Sequence, residues 1–138
     1  NNPHSNEENV NLIIRKYLSS VGTEYFISFE DTLGYLYGFT RLLLPKENET
    51  IDREWLGANT ALIRELHVYG NLQSLKKKAE KEWVQHTWFG KQLMQIAEQI
   101  SKQKKYTRLS VISGVWVKQY YQKIWYIKEW TYVVKLLI

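Results

Sequence analysis

Short runs of aromatic and β-branched residues, separated by polar segments, predict β-strands in the first half of the chain. Residues 24–30 and 35–44 are two such runs, and the turn-like segment 31–34 between them predicts a hairpin. A third strand is predicted at 61–69, and because both of its faces mix apolar and polar residues, it is expected to be internal and to border a site. Its predicted faces are Leu62, Arg64, Leu66 and Val68 on one side, and Ile63, Glu65, His67 and Tyr69 on the other.

Helical spacing of apolar residues is clearest at residues 89–104, which are predicted to form an amphipathic helix with basic residues at its C-terminal end. Residues 10–18 show a helix-like spacing over a shorter length. The polar segments 45–57 and 70–82 are predicted to be loops, and the second contains three consecutive lysines. The apolar stripe of the longer helix consists of Phe89, Leu93, Ile96, Ala97 and Ile100.

The second half of the chain alternates between helix-like and strand-like segments. A short buried strand is predicted at 108–113, a shorter helix at 117–124 and a final strand at 130–138. This alternation favours parallel pairing in the second half, whereas the hairpin of the first half is antiparallel. The sequence therefore predicts a mixed, three-layer α/β fold, with a flexible polar tail at 1–9 and a single domain at 10–138.

Composition excludes several kinds of chemistry. The 138 residues are 44% hydrophobic and 24% charged, which suits a domain with a packed core. The chain has no cysteine, and this excludes disulfides, thiol nucleophiles, Fe–S clusters and cysteine-based zinc sites. Its three histidines lack the spacing of metal ligands, so no metal site is expected.

Charge and hydropathy bear on location and partners. The start of the chain has no hydrophobic stretch, and no run reaches the roughly 18 apolar residues of a membrane helix. We therefore expect a soluble intracellular protein, cytoplasmic or nuclear, without a membrane partner. The net charge of +5 is compatible with a nucleic-acid or phosphorylated ligand, and equally with a solvated basic surface.

Three segments carry a more specific signal, namely residues 64–70 (RELHVYG), 85–90 (QHTWFG) and 111–115 (VISGV). Together with residues 24–31 (EYFISFED), they resemble the C-terminal acetyltransferase domain of the Elongator catalytic subunit, the tRNA uridine 34 acetyltransferase family. The resemblance runs from about Arg15 to the end of the chain. It implies the GNAT acyl-CoA N-acyltransferase fold, in which a mixed central sheet is flanked by helices.

The resemblance also implies an activity, a cofactor and partners. In this family the acetyltransferase domain follows a radical-SAM domain, which this chain is expected to lack together with its Fe–S cluster and S-adenosylmethionine. The expected cofactor is acetyl-CoA, and the expected partners are tRNA, whose wobble uridine is modified, and other Elongator subunits. Two alternatives remain open: a catalytically decayed GNAT module that binds tRNA or partner subunits without CoA, and a histone or protein lysine acetyltransferase with histones as partners.

One family motif is altered in this chain. Where the family pattern reads Gln-x-x-Gly-x-Gly, the chain has Gln85-x-x-Trp88-x-Gly90, and the helix N-terminus around Trp88 is predicted to bind the CoA pyrophosphate. Glycine lets backbone approach a phosphate closely, so the tryptophan blocks the site if it points inward and leaves the amides usable if it points outward. Four tryptophans at family glycine positions indicate relaxed constraint or a misread codon. Besides Trp88 they are Trp116, Trp125 and Trp130.

Candidate catalytic residues follow from the same resemblance. Tyr120 and Tyr121 are expected near the CoA sulfur, where a hydroxyl protonates the leaving thiolate, unless they are core aromatics. Glu65 is a candidate base for an amine substrate, unless it forms a structural ion pair. The predicted cofactor-binding residues are Leu66, His67, Val68, Gln85, His86, Thr87, Trp88, Phe89, Gly90, Lys91, Ser113, Tyr120 and Tyr121. The predicted RNA-binding residues are Lys76, Lys77, Lys78 and Lys118.

Overall fold

The computed structural model describes residues 9–46, 59–69, 76–112, 127–129 and 132–137. Within these residues, seven strands form one sheet and one long helix packs against it. The strands are β1 (Asn11–Leu18), β2 (Gly22–Glu30), β3 (Leu36–Pro45), β4 (Thr60–Val68), β5 (Arg108–Ile112), β6 (Ile127–Glu129) and β7 (Tyr132–Leu136), and the helix is α1 (Lys76–Gln103).

The sheet is mixed, as the sequence predicts. Its strand order is β1-β2-β3-β4-β5-β7-β6, and the first four strands pair antiparallel with their neighbours in sequence. β4 and β5 are parallel because α1 carries the chain back across the sheet between them. β7 pairs antiparallel with both β5 and β6. The predicted hairpin, internal third strand and parallel pairing are therefore confirmed.

The core lies between α1 and one face of strands β2 to β5. Alternate residues of β2 point into this core because successive side chains of a strand face opposite sides of the sheet. The predicted stripe of α1 meets them, and three of its residues are buried while two are partly buried against the same cluster. The buried cluster contains Tyr25, Ile27, Phe29, Leu42, Leu44, Ala61, Ile63, Phe89, Leu93, Met94, Ala97, Leu109 and Val111.

The turn between β2 and β3 is organised by one buried carboxylate. Asp31 accepts the backbone N–H groups of Leu33 and Tyr35 at 2.9 and 3.0 Å, and the Tyr37 hydroxyl at 3.1 Å. Gly34 adopts a φ of 87°, a left-handed conformation that favours glycine. The predicted turn at 31–34 is therefore confirmed, and side-chain hydrogen bonding to nearby backbone explains it.

The helix-like spacing at residues 10–18 gave a wrong prediction, because this segment is strand β1. It pairs with β2 without interruption from Asn11↔Glu30 to Leu18↔Thr23. Nearly all of its side chains are exposed, including the apolar Leu12 and Ile14. With no apolar face buried along it, the backbone hydrogen bonds of an edge strand decide its structure.

The loop prediction for residues 70–82 is wrong from Lys76 onward, where α1 already begins. The N-terminal part of α1 lacks the apolar stripe of its later turns, so periodicity could not place its start. Pro45 ends β3, and the rest of the predicted loop at 45–57 lies outside the described residues except for Lys46. The predicted strands at 108–113 and 130–138 correspond to β5 and β7, β6 is an additional short strand, and the predicted helix at 117–124 lies outside the described residues.

Low pH should weaken the pairing of β1 with β2, because it protonates one member of an ion pair that joins the two strands. Arg15 Nη1 lies 2.6 Å from Glu30 Oε2, and this hydrogen bond lowers the pKa of Glu30, with a further contribution from the Ser28 hydroxyl. A lowered folded-state pKa stabilises the protein above the pKa of a free glutamate, about 4.3, and the stabilisation is lost as pH falls through the folded-state value.

We therefore expect Glu30→Gln to be less stable than the wild type at pH 7, and the difference to vanish as pH falls well below the normal glutamate range. Urea unfolding at a series of pH values measures it. Salt should reduce the difference at pH 7, since Arg15 is exposed. A difference that is constant with pH would contradict the assignment.

Candidate functional site

Strand β4 carries a bulge at its centre. Arg41 of β3 lies opposite Glu65, but the next residue of β3, Leu42, lies opposite Ile63. Arg64 is therefore an extra residue without a partner of its own in β3. Such a bulge shifts the alternation of side chains by one position from that point onward.

The bulge corrects the predicted faces of this strand. Leu62 packs with Leu43 on the face of the sheet opposite α1, whereas Leu66 and Val68 pack against the core under α1. The prediction that Leu62 shares a face with Leu66 and Val68 is wrong, because a strict period of two cannot accommodate the extra residue at Arg64.

On the side away from β3, the backbone of β4 beyond the bulge has no strand beside it among the described residues, and this stretch of the sheet is called the opening. β4 pairs with β5 only from Thr60 to Ile63, and no strand among the described residues pairs with that edge further along. The Tyr69 N–H donates to the Tyr37 carbonyl of β3 at 3.0 Å. Because backbone groups alternate in direction along a strand, the N–H and C=O groups of Leu66 and Val68 point away from β3, into the opening.

This edge offers a row of hydrogen-bonding groups to an extended ligand. Leu66 and Val68 are two positions apart, and groups at that spacing on one strand edge are about 6.7 Å apart. A ligand with amide or carbonyl groups at a similar interval binds such an edge as an added strand does. Leu66 and Val68, which the resemblance suggested as cofactor-binding residues, are thus placed where their backbone can bind a ligand.

The structure places no helix N-terminus around Trp88, where one was expected to bind the pyrophosphate, and the binding roles of residues 85–91 stay predictions. α1 begins at Lys76, and residues 88–90 lie inside the helix. Only the first four N–H groups of a helix lack an intrahelical acceptor, so the amides of Trp88, Phe89 and Gly90 are committed to the helix. Phe89 is buried in the core, and Lys91 is exposed on the helix surface.

The Trp88 ring lies on the side of α1 away from the opening. Its centroid is 5.7 Å from the Phe29 ring and 5.3 Å from the Phe89 ring, and the side chain is about half exposed. Phe29 belongs to β2, and β3 separates β2 from β4. Because residue 88 lies inside α1, neither orientation considered for this tryptophan at a helix N-terminus applies, and its effect on CoA binding stays a prediction.

Replacing this tryptophan should affect stability. Trp88→Gly removes the ring contacts with Phe29 and introduces a glycine inside α1, which together should lower the free energy of unfolding by about 1–2 kcal/mol. Urea denaturation monitored by far-UV circular dichroism measures the change. Trp88→Ala is the control, because it loses the ring but not the helix propensity, and equal losses in both variants would contradict a helix through this position.

The face of the sheet opposite α1, called the distal face below, carries Glu24, Phe26, Phe39, Arg41 and His67. His67 is exposed and its ring lies 5.2 Å from that of Phe39. Glu65 also points to this face, where its carboxylate accepts a hydrogen bond from Arg41 at 3.0 Å. This ion pair is the structural alternative considered for Glu65, and its role as a base stays a prediction.

The remaining predicted residues are placed only in part. Gln85, His86 and Thr87 lie within α1, whose first residues are Lys76, Lys77 and Lys78. Four predicted residues lie outside the described part of the chain: Ser113, Lys118, Tyr120 and Tyr121.

The described residues hold no group of three or more His, Asp or Glu side chains that could bind a metal ion. In the same part of the chain, no helix has the length and apolar character needed to cross a membrane.

Sequence reasoning missed the charged residues Glu24, Arg41 and Arg64 of the distal face. Glu24 is buried, although glutamate side chains normally reach solvent. The available signal was the presence of charged residues of both signs in the three predicted strands, but the sequence does not show which of them meet.

Comparison with known proteins agrees with this geometry. No protein-family model matches the chain. Elongator complex protein 3 of Saccharomyces cerevisiae is 38% identical over 130 residues, which are 93% of this chain and 23% of that protein. The archaeal Methanocaldococcus infernus Elp3 structure superposes with a TM-score of 0.79 at 33% identity, covering 96% of this chain and 31% of that one. This chain is homologous to one segment of the proteins of the Elongator protein 3 family.

Other relatives define the extent of the likeness. The tRNA uridine(34) acetyltransferase of Methanocaldococcus jannaschii is 36% identical over 134 residues, 94% of this chain. The chain spans about a quarter of the length of these curated relatives. A GNAT-family acetyltransferase from Staphylococcus aureus superposes with a TM-score of 0.53 at 12% identity, over 83% of this chain and 68% of its own. The fold is therefore the GNAT fold, as the resemblance implied.

Proposed function

We propose that the chain is the acetyl-CoA-dependent acetyltransferase part of an Elongator-type enzyme, acting in modification of the wobble uridine of tRNA. The observation that carries this proposal is the backbone edge of β4 at Leu66 and Val68, with which no strand of the described residues pairs, in a GNAT-fold sheet. The names of the homologous proteins, Elongator complex protein 3 and tRNA uridine(34) acetyltransferase, supply the reaction class.

The β4 edge suits the thioester and the arm that carries it. The Leu66 N–H would donate a hydrogen bond to the thioester carbonyl oxygen, which gains negative charge when the acyl carbon is attacked. A donor already fixed in a strand stabilises that charge without having to reorganise. The amides of the pantetheine arm continue along the edge toward Val68, so the acyl group is oriented by hydrogen bonds at more than one position.

The proton transfers are assigned to the side chains that the resemblance suggested. With an amine acceptor, the nitrogen would bond to the acyl carbon as the thioester C–S bond breaks, and the leaving thiolate would take a proton, for which Tyr120 and Tyr121 remain the proposed donors. Glu65 remains the proposed base for an amine acceptor, and it would have to release Arg41 to serve as one. Acetyl-CoA supplies the activated acyl group in this scheme.

The tRNA would be bound through its phosphates. The chain has a net charge of +5, and α1 has no acidic residue in its first turn, where Lys76, Lys77 and Lys78 lie. A helix N-terminus with adjacent lysines favours anions, and phosphate contacts weaken as salt rises. Lys118 and other Elongator subunits complete the proposed set of RNA and protein contacts, in the cytoplasm or nucleus.

Calorimetric titration with a non-hydrolysable acetyl-CoA analogue, with and without tRNA, tests the proposal. We expect micromolar binding of the analogue and a tRNA affinity that falls with salt. Binding of neither ligand would overturn the proposal. The variant Leu18→Ala, at an exposed position of β1, serves as a control that should bind like the wild type.

A second candidate is a GNAT module that binds tRNA without using CoA. The position of residues 88–90 inside α1 favours it, because the amides expected to hold the pyrophosphate are not free there. Under this candidate, the chain binds tRNA but not the analogue, and Trp88→Gly leaves the analogue unbound, because the amides of residues 88–90 stay inside α1. Analogue binding by the wild type favours the transferase.

A further inference from the structure

Both residues of the β4 bulge, Arg64 and Glu65, form ion pairs on the distal face. Arg64 Nη1 lies 3.4 Å from Glu24 Oε1, and Arg41 Nη1 lies 3.0 Å from Glu65 Oε2. Arg41 Nη2 lies 3.8 Å from the same oxygen of Glu24. The four side chains therefore form a continuous series of ion pairs that begins at one bulge residue and ends at the other.

Glu24 is the buried member of this series. Its side chain is 10% exposed, whereas those of Arg41, Arg64 and Glu65 are 36%, 43% and 40% exposed. A carboxylate removed from water needs its counter-charges, and both arginines approach one of its oxygens. This carboxylate therefore links Arg41 of β3 and Arg64 of β4 to β2.

The same charges disfavour a regular, unbulged strand. If β4 continued in register after Ile63, Arg64 would lie directly opposite Arg41, and like charges across two strands repel. Glu65 would then point under α1 into the apolar core, where its charge would be unpaired. The bulge instead puts both Arg64 and Glu65 on the distal face, each with an opposite charge.

The register of the bulge determines the ligand-binding edge. Because the alternation changes at Arg64, the side chains of Leu66 and Val68 pack under α1 and their amides point into the opening. A slip of one residue would reverse this arrangement. We propose that Glu24 is a positioning residue for acyl transfer: through Arg41 and Arg64 it holds the β4 bulge in register and keeps the Leu66 amide aimed at the thioester. This role in transfer rests on the proposed function.

The first test measures the bulge without any ligand. Glu24→Gln keeps the shape of the side chain and removes its charge, and Glu30→Gln is the matched control, since it breaks an ion pair on the same strand and face that involves β1. We expect amide hydrogen exchange at Glu65 and His67 to quicken about tenfold or more in Glu24→Gln, relative to Ile27, and not in Glu30→Gln. Equal exchange in the two variants would overturn the proposal.

A second variant covers the case in which Glu24→Gln does not fold. Arg64→Gln changes a largely exposed residue, leaves Glu24 paired with Arg41, and disconnects the bulge from the buried carboxylate. It should also raise exchange at Glu65 and His67, and it should shift the nuclear magnetic resonance signals of the Leu66 and Val68 amides. Unchanged signals and unchanged exchange in Arg64→Gln would refute the positioning role.

The third measurement separates this proposal from the proposed function. With acetyl-CoA as substrate, Glu24→Gln should lower kcat about tenfold or more while changing KM by less than that, because a misplaced donor acts mainly on the transition state. Glu30→Gln should keep the wild-type kcat. If the wild type neither binds nor turns over acetyl-CoA, the proposed function fails, and the exchange experiment still decides whether Glu24 holds the bulge.

Discussion

Leu66→Pro should lower kcat for release of CoA from acetyl-CoA by about 10²–10³-fold, because it removes one fixed donor to the thioester oxygen. Proline lacks the backbone N–H, and at this position the N–H points into the opening between β4 and β5. The hydrogen bonds between β3 and β4 are therefore kept, and far-UV circular dichroism should show a folded protein. The loss of a single donor should affect kcat more than KM.

The control for this variant is Leu66→Ala, which shortens the same side chain but keeps the amide. Release of CoA can be followed with a thiol-reactive dye without background, because the chain has no cysteine. We expect Leu66→Ala to retain most of the wild-type kcat. Equal activity of the two variants would show that the Leu66 amide does not contact the thioester.

Leu93→Ala should lower the free energy of unfolding by about 2–5 kcal/mol. Leu93 is fully buried on α1, and its Cδ1 atom would lie 3.4 Å from a methyl group placed on Gly38 of β3. Truncating it leaves a cavity between the helix and the centre of the sheet, so the loss combines transfer free energy with lost packing contacts. Urea unfolding, with the slope m compared between variants, measures the change.

An exposed leucine provides the matched control for the core variant. Leu18, at the end of β1, is 81% exposed, and Leu18→Ala should change the free energy of unfolding by less than about 0.5 kcal/mol. A loss of similar size in both variants would mean that the predicted core between α1 and the sheet is not the main source of stability.

The sequence was sufficient to predict the elements that bury an apolar face. The stripe containing Phe89, Leu93 and Ala97 predicted the second half of α1, and aromatic and β-branched runs predicted β2 and β3. Strand β1 was predicted to be a helix because of the spacing of its apolar residues. These residues are mostly exposed, so their spacing does not correspond to a buried face. The start of α1 was missed for the same reason, since an apolar stripe is absent from its first turns.

The sequence identified residues of the candidate site, but it did not predict the direction in which their backbone groups point. The resemblance singled out Leu66 and Val68, and the structure directs their backbone groups into the opening. The direction depends on the extra residue Arg64, which a pattern of alternating side chains cannot reveal. The helix start predicted near Trp88 was wrong because the first turns of α1 carry no apolar stripe, and the cofactor-binding role of residues 85–91 stays a prediction.

The bulge leaves a signature in the spacing of apolar residues along β4. The side chains that reach the core are those of Ala61, Ile63, Leu66 and Val68, so the intervals between them are two, three and two rather than a uniform two. Another sequence with the same bulge should therefore show core-facing apolar residues at successive intervals of two, three and two, with polar residues in the longer interval. Searching translated genomes for that interval ahead of an amphipathic helix should find open-edged sheets of this kind even where overall identity is too low to align.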